Sequence, residues 1–326
     1  GSVPAADRLR KGAAAQAVAA RGPFVMFVLA HLSDPHLGPI PEAKLYELLG
    51  KRFFGMMNWI GARRRNFGAA TLAPLLDDLL AQAPDHICVT GDLVNVSLPE
   101  EFDTGATFLT SLGPADQVSV IPGNHDAYVR SAMHYHLEHW APFLKGDDTH
   151  PHTPVDVDSF PYVRRRGNIA IVGVSTAVPT AVFLASGEVG RAQRERLRSL
   201  LVRLKGEGLF RAVMIHHPPV GERPFHRDLK DAAAVRAVIA EAGAELVMHG
   251  HDHRASLGQI AAPAGPIPVV GVPSASAGPE DARGAGRYNL YRISGEPGAW
   301  RCEMEQRGYA PGEETVAARE TQVLIG

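Results

Sequence analysis

Five short clusters rich in Asp, His and Asn punctuate the chain: SDPH at 33–36, GD at 91–92, GNHD at 123–126, HH at 216–217 and GHDH at 250–253. Each follows an apolar, β-rich run. Together they offer carboxylate and amide oxygens with imidazole nitrogens, and no thiolate. That donor set suits manganese, iron or zinc in a five- or six-coordinate site open to water, whereas a structural zinc site would draw on cysteine. One such cluster is a weak signal, because a lone strand-end histidine commonly serves as a hydrogen-bonded structural group. Five in one chain supply seven candidate donors, more than one ion requires, and point to two ions that share a carboxylate.

Such convergence needs elements that end together. Apolar runs at 25–33, 86–90, 117–121, 168–175, 211–216 and 244–249 read as strands, and helical stretches are expected at 69–83, 100–112, 189–204 and 228–243. In the third of these, Leu197, Leu200, Leu201 and Leu204 recur at helical spacing. Strands alternating with helices describe an α/β protein, and parallel strands in one sheet bring their carboxyl ends to one edge. Gly91, Gly123 and Gly250 directly precede Asp92, Asn124 and His251; a glycine there permits tight turns and close backbone approach. Three further runs at 267–272, 287–293 and 299–305 lack intervening helices, so an antiparallel portion is expected to complete a second sheet.

Composition narrows the class. The chain has 326 residues and a formal net charge of -2, with no basic stripe, so no stable nucleic-acid complex is expected. Its two cysteines, Cys88 and Cys302, stand outside any CxxC spacing, which favours small core thiols in a reducing, cytoplasmic setting. No apolar run approaches the roughly 18 residues that span a bilayer. Residues 8–22 place basic groups before an alanine-rich stretch, but Gln16 interrupts it and alanine is too weakly apolar for a signal sequence. The expected organisation is a flexible tail at 1–23, one domain at 24–310 and a C-terminal tail at 311–326.

The ordered series SDPH, GDLVN (91–95), PGNHD (122–126), HHPP (216–219) and GHDH resembles the calcineurin-like metallophosphoesterase superfamily, and within it the bacterial cyclic-nucleotide phosphodiesterases. The resemblance covers residues 26 to 305. It implies a four-layer αββα sandwich of two mixed β-sheets flanked by helices, with a dinuclear metal centre at the strand carboxyl ends. It assigns Asp34, His36 and His253 to the first metal, Asn124, His216 and His251 to the second, and Asp92 to the bridge. It further implies attack on a phosphoester by a hydroxide held between two divalent or mixed-valence ions. His125 matches the family histidine that contacts the phosphate and protonates the leaving oxygen, and Asp126 is expected to support it by accepting its other N–H. His31 and His249 are read as structural, Asp252 as pointing away, and His217 as facing opposite to His216.

Substrate choice falls to two cap-like insertions. The stretch at about 40–68 joins Phe53, Phe54, Met56, Met57, Trp59 and Ile60 to Lys51, Arg52 and Arg63 to Arg65. It reads either as a helix capping the site or as a peripheral contact, through 51–65, with the inner face of the membrane. The stretch at 127–148 carries His134, His136, His139 and Trp140 and is expected to wall the pocket near His125. The leading expectation is a phosphodiesterase acting on a small phosphodiester such as a cyclic nucleotide. The alternative is a lipid-directed phosphohydrolase resembling the UDP-diacylglucosamine pyrophosphatases.

Overall fold

In the computed structural model, which describes residues 26–41, 51–58, 69–149 and 153–326, the apolar run after Met26 becomes β1 (Phe27–Leu32). There follow α1 (Lys51–Asn58), α2 (Ala69–Ala81), β2 (His86–Val89), α3 (Pro99–Leu112), β3 (Val118–Val120), α4 (Met133–His139) and α5 (Ala141–Leu144). β4 (Tyr162–Arg166), β5 (Ile169–Val174), α6 (Arg191–Gly206), β6 (Phe210–Ile215), α7 (Ala232–Ala242) and β7 (Leu246–His249) come next. β8 (Ser256–Ile260), β9 (Ile267–Gly271), β10 (Arg287–Glu296), β11 (Ala299–Gly308) and β12 (Ala317–Ile325) complete the chain.

The strands form two six-stranded mixed sheets, ordered β12-β11-β10-β1-β2-β3 and β4-β5-β6-β7-β9-β8. Alternation along the second sheet assigns its two faces. Ile169, Ile171, Met214 and Met248 join the core of the first sheet, while Ala170, Val172, Val213 and Val247 pack with Leu197 and Leu201 of α6 and Ile239 of α7. On the first sheet, Leu75 and Leu79 of α2 and Phe102 of α3 belong to the same core. The result is two mixed sheets flanked by helices, as the resemblance implies. Truncating a buried leucine such as Leu75 to alanine would cost about 2–5 kcal/mol through lost transfer energy and the cavity left behind.

Several expectations are corrected. The clusters do not sit on one sheet. β1, β2 and β3 run parallel in the first sheet, and β6 and β7 run parallel in the second. The two carboxyl edges abut: the His251 N–H donates to Asp34 Oδ2 at 3.0 Å and the Ala275 N–H to the Ser33 carbonyl at 2.9 Å. The antiparallel portion extends the first sheet instead of completing the second, because β10 pairs with β1; β9 is parallel to β7. The expected C-terminal tail contains β12, which pairs antiparallel with β11. Its Arg319, Glu320 and Gln322 hide the strand signal, and charged side chains are a usual way of protecting a sheet edge. β4 and β8 were not expected either, the first masked by consecutive Arg164, Arg165 and Arg166. The tail expected at 1–23 lies outside the described residues, as do 42–50 and 59–68 of the first insertion, including Trp59, Ile60 and Arg63 to Arg65.

Candidate metal centre

Five polar residues at the abutting edges adopt left-handed backbone conformations: Asp34 (φ 52°), His36 (40°), Asp92 (55°), His251 (68°) and His253 (55°). For side chains with a Cβ this costs on the order of 1 kcal/mol or more each, and it persists where surrounding structure enforces it. Backbone bonds do so here, with Asp34 N–H on the Gly91 carbonyl at 2.9 Å and His36 N–H on that of Asp92 at 3.0 Å. Glycine makes the approach possible. A Cβ on Gly250 would lie 1.9 Å from Ser33 Oγ and 2.4 Å from Asp34 Oδ2, and one on Gly123 would lie 2.2 Å from Asp92 Oδ1.

The first donor group is Asp34, His36, Asp92 and His253, all buried, with one ligand atom each within 4.8 Å of the others. Nε2 of His36 faces Nε2 of His253 at 3.2 Å, and Asp34 Oδ1 stands 3.1 Å from His253 Nε2. Yet Asp34 Oδ1 has no hydrogen bond. A buried, unsatisfied carboxylate oxygen is costly, and a cation between it and the two imidazoles would remove that cost.

The second group is defined by tautomers. A carbonyl only accepts, so His216 must donate from Nδ1 to Thr90 O (2.6 Å) and His251 from Nε2 to Arg227 O (2.9 Å). The other ring nitrogens converge. His216 Nε2 is 3.2 Å and His251 Nδ1 2.9 Å from Asn124 Oδ1. Burial pulls the His216 pKa down, but the Asp92 and Asp34 carboxylates outweigh it and push it up to about 10. Burial disfavours the charge on Asp92 as well, yet His216, His125 and His36 hold its carboxyl well below the usual range. The carboxylates thus draw positive charge into the site, here a proton on His216, and the residues fit a pair of metal ions that would take its place. Asp92 belongs to both groups: its Oδ2 lies 3.9 Å from His36 Nε2 and 3.5 Å from His216 Nε2.

His125 borders this arrangement half-buried, with its ring edge-on to His36 at 4.9 Å and stacked on Tyr128 at 5.3 Å. Its Nδ1 donates to the Asn95 carbonyl at 2.6 Å. The support expected from Asp126 is therefore corrected. Asp126 Oδ2 accepts the N–H groups of Asp92 and Gly123, both at 2.8 Å, and its Oδ1 those of Leu93 and Val94 at 2.9 and 3.1 Å. It fastens the loop that carries Asp92 to the loop that carries Asn124. Burial and then the Asp92 charge push its carboxyl up to about 7.

Two positioning residues escaped the sequence reading. Asn95 supplies the carbonyl, and buried Glu101 holds the loop by accepting the N–H groups of Asn95 (2.7 Å), Val96 (3.2 Å) and Leu98 (2.8 Å). The readable signal was a Glu three residues after Leu98, at a helix start with Pro99. His217 also differs from expectation: its ring packs 4.3 Å from that of His251, although both its nitrogens are bonded, to Thr176 Oγ1 (2.7 Å) and Ala185 O (2.9 Å). His31 bonds Thr90 Oγ1 at 2.9 Å, His249 bonds the Gly250 carbonyl at 3.0 Å, and Asp252 pairs with Arg223 at 2.8 Å. In the second insertion Trp140 is buried and donates to the Phe102 carbonyl, while His139 pairs with Asp103. Tyr128 of that insertion lies against the centre, stacked on His125.

The calcineurin-like phosphoesterase family model matches residues 27–255, a span that contains every donor named above. The chain belongs to the calcineurin-like phosphoesterase family. It is thus a metal-dependent phosphoester hydrolase, of a family that works with dinuclear metal centres. In fold this phosphoesterase is similar to a dimetal phosphatase from Danio rerio, 12% identical, with a TM-score of 0.58 over 92% of this chain and 98% of that one. It is also similar to a purple acid phosphatase from yellow lupin (Lupinus luteus) seeds, 13% identical, with a TM-score of 0.50 over 91% of this chain and 53% of that one. No curated protein matches this phosphoesterase in sequence. Among its described residues no helix is long and apolar enough to cross a membrane.

Proposed function

We propose that this chain is a phosphodiesterase for small phosphodiesters, with cyclic nucleotides as the first candidates. Asp34, His36 and His253 would hold one metal ion and Asn124, His216 and His251 a second, with Asp92 shared. The observation that carries the reading is the position of Asp92 Oδ2 between the two donor groups, 3.9 Å from His36 Nε2 and 3.5 Å from His216 Nε2. When bound, two such cations supply Lewis acidity, polarising phosphoryl oxygens and lowering the pKa of water. The protein orients and moves protons. Nδ1–H of His125 is committed to the Asn95 carbonyl, so the proton that His125 can deliver to a leaving oxygen sits on Nε2. Asp126 holds the Asp92 loop in its strained conformation.

The substrate preference rests on the motif pattern and on a net charge of -2, which gives no general attraction for polymeric nucleic acid. The exposed Phe53, Phe54 and Met57 on α1 favour a second reading, a lipid-linked phosphodiester or pyrophosphate as substrate. A screen of the manganese-loaded protein against cyclic AMP, glycerophosphodiesters and lipid-linked pyrophosphates separates the two. Turnover of cyclic AMP well above the rest is expected, and preference for the lipid-linked compounds would replace the first reading with the second.

A further inference from the structure

Through Lys51, Arg52 and Gly55, α1 packs against the same residues that hold His125. Arg52 turns inward: its Nε donates to the Val96 carbonyl at 3.1 Å and its Nη2 to the Ser97 carbonyl. The N–H groups of that loop, on Asn95, Val96 and Leu98, go instead to Glu101 of α3. Two helices thus divide the loop between them, α1 taking carbonyls and α3 taking N–H groups, and a backbone committed in both ways has little freedom to shift. The loop in turn fixes His125. Its Asn95 carbonyl accepts Nδ1–H of His125 at 2.6 Å, and its buried Ser97 donates from Oγ to the His125 carbonyl at 2.6 Å while accepting the Tyr128 N–H at 3.2 Å. Ser97 does so from a left-handed conformation, φ 59°, which persists only where its surroundings enforce it.

Tyr128 is the second route from α1 to His125. Its ring stacks on that of His125 at 5.3 Å with 11° between the planes. Lys51 Nζ lies over the Tyr128 ring, 4.3 Å from its centre, a distance at which an ammonium is attracted to an aromatic face. The ammonium is itself anchored, donating to Thr180 Oγ1 at 2.7 Å and to the Leu184 carbonyl at 3.0 Å. Gly55 lets the helix come this close, since a Cβ there would lie 2.7 Å from Tyr128 Oη and 2.8 Å from Val96 Cγ1.

Holding a lysine and an arginine in one conformation costs about 1.5–2 kcal/mol each in rotamer freedom, and both side chains spend it on the surroundings of one histidine. With Nδ1–H bonded to Asn95, the orientation of the His125 ring decides where its Nε2–H points. We propose that Lys51 and Arg52 are positioning residues for phosphoester cleavage: α1, seated through Gly55, fixes the 95–98 loop and Tyr128 so that His125 Nε2–H is aimed at the leaving oxygen. The proposal rests on the reading of His125 as the proton donor. As the attacking hydroxide bonds to phosphorus, the P–O bond to the leaving group breaks and its electron pair stays on that oxygen. The Nε2 proton of the imidazolium joins it, leaving a neutral imidazole protonated on Nδ1.

The test compares the phenyl and p-nitrophenyl esters of methyl phosphate on the manganese-loaded full chain, because phenoxide needs the proton and p-nitrophenoxide leaves without it. Arg52→Met should lower kcat on the phenyl ester about tenfold with KM nearly constant, and lower it much less on the p-nitrophenyl ester. Arg52→Lys, which keeps a donor for one carbonyl, should regain part of the loss. Lys51→Met, which leaves the 95–98 loop bonded, is the second variant and should show the same dependence on leaving group if Arg52→Met loosens the fold. Added to His125→Ala, neither substitution should cost anything more on the phenyl ester, as expected when two residues act through a third. Equal losses on the two esters for both α1 variants, or losses that add to that of His125→Ala, would overturn the proposal. A loss confined to the phenyl ester in His125→Ala, with the α1 variants at wild-type rates, would overturn the proposal alone. Equal losses in His125→Ala would overturn the reading of His125 as the acid, and the proposal with it.

Discussion

Nε2 of His36 faces Nε2 of His253 at 3.2 Å, with Oδ1 of Asp34 a further 3.1 Å from His253. Two imidazoles can share one proton at best, and the carboxylate oxygen is left without a hydrogen bond. A bound cation satisfies all three, so metal should stabilise the fold. Free metal at a hundred times its Kd adds about 3 kcal/mol. Exhaustive chelation should therefore lower the thermal midpoint by several degrees, and Mn²⁺ should restore it; an unchanged midpoint would mean that no metal binds here.

Gly250 tests whether close packing sets the site. A Cβ there meets Ser33 Oγ and Asp34 Oδ2 far inside contact distance. Gly250→Ala should displace Asp34 and reduce kcat/KM on an aryl phosphodiester at least about a hundredfold, as expected when a positioned group moves by an ångström. Bound metal should fall with it, while circular dichroism stays near that of the wild type.

His125 should matter in proportion to the need for a proton. His125→Ala is expected to lower kcat by roughly 10²–10⁴-fold on substrates with an alkoxide leaving group, and much less on p-nitrophenyl esters, whose leaving group departs without one. Equal losses on both substrates would point to binding instead of proton transfer.

Glu101 acts at a distance through Asn95. Glu101→Gln removes charge from a carboxylate that accepts three backbone N–H groups and should loosen the Asn95 carbonyl that fixes His125. The expected result is a kcat about tenfold lower, with KM nearly constant and the acid limb of the pH–rate profile shifted. Loss of thermal stability with an unchanged profile would show that Glu101 serves only the fold.

His86 governs part of the acid response. It is buried against Ser119 Oγ at 2.8 Å, and burial, then Arg164 and Arg166, hold its pKa well below 6.5. Below pH 6.5 the unfolded chain takes up a proton that the folded chain refuses, so stability falls as pH falls, by up to about 1.4 kcal/mol per unit from this group. Urea unfolding from pH 7 to 5 should show a shallower decline for His86→Gln than for the wild type.

What could be read from the sequence was chemistry carried by residue type in chain order. Asp34, His36, Asp92, Asn124, His216, His251 and His253 are all found together, because each stands where an apolar run ends. The left-handed backbones of Asp34, His36, Asp92, His251 and His253 left no trace, since none of them is a glycine. The role of Asp126 depends on two loops meeting, and no local pattern reports that. β12 escaped because a polar edge strand pairs on one side and lacks a clean alternation. Two sheets were foreseen, but the partition of β10 and β11 was not: short turns show that strands are antiparallel and leave open which sheet they join.

The shared carboxylate of Asp92 is the centre of the reading. Metal content and bis-p-nitrophenyl phosphate turnover, measured together on the manganese-loaded wild type and on Asp92→Ala, test it most directly. Two equivalents of metal with ready hydrolysis are expected for the wild type, and loss of both metal and turnover for the variant. A variant that kept two metals and wild-type turnover would contradict the assignment of Asp92 to both donor groups.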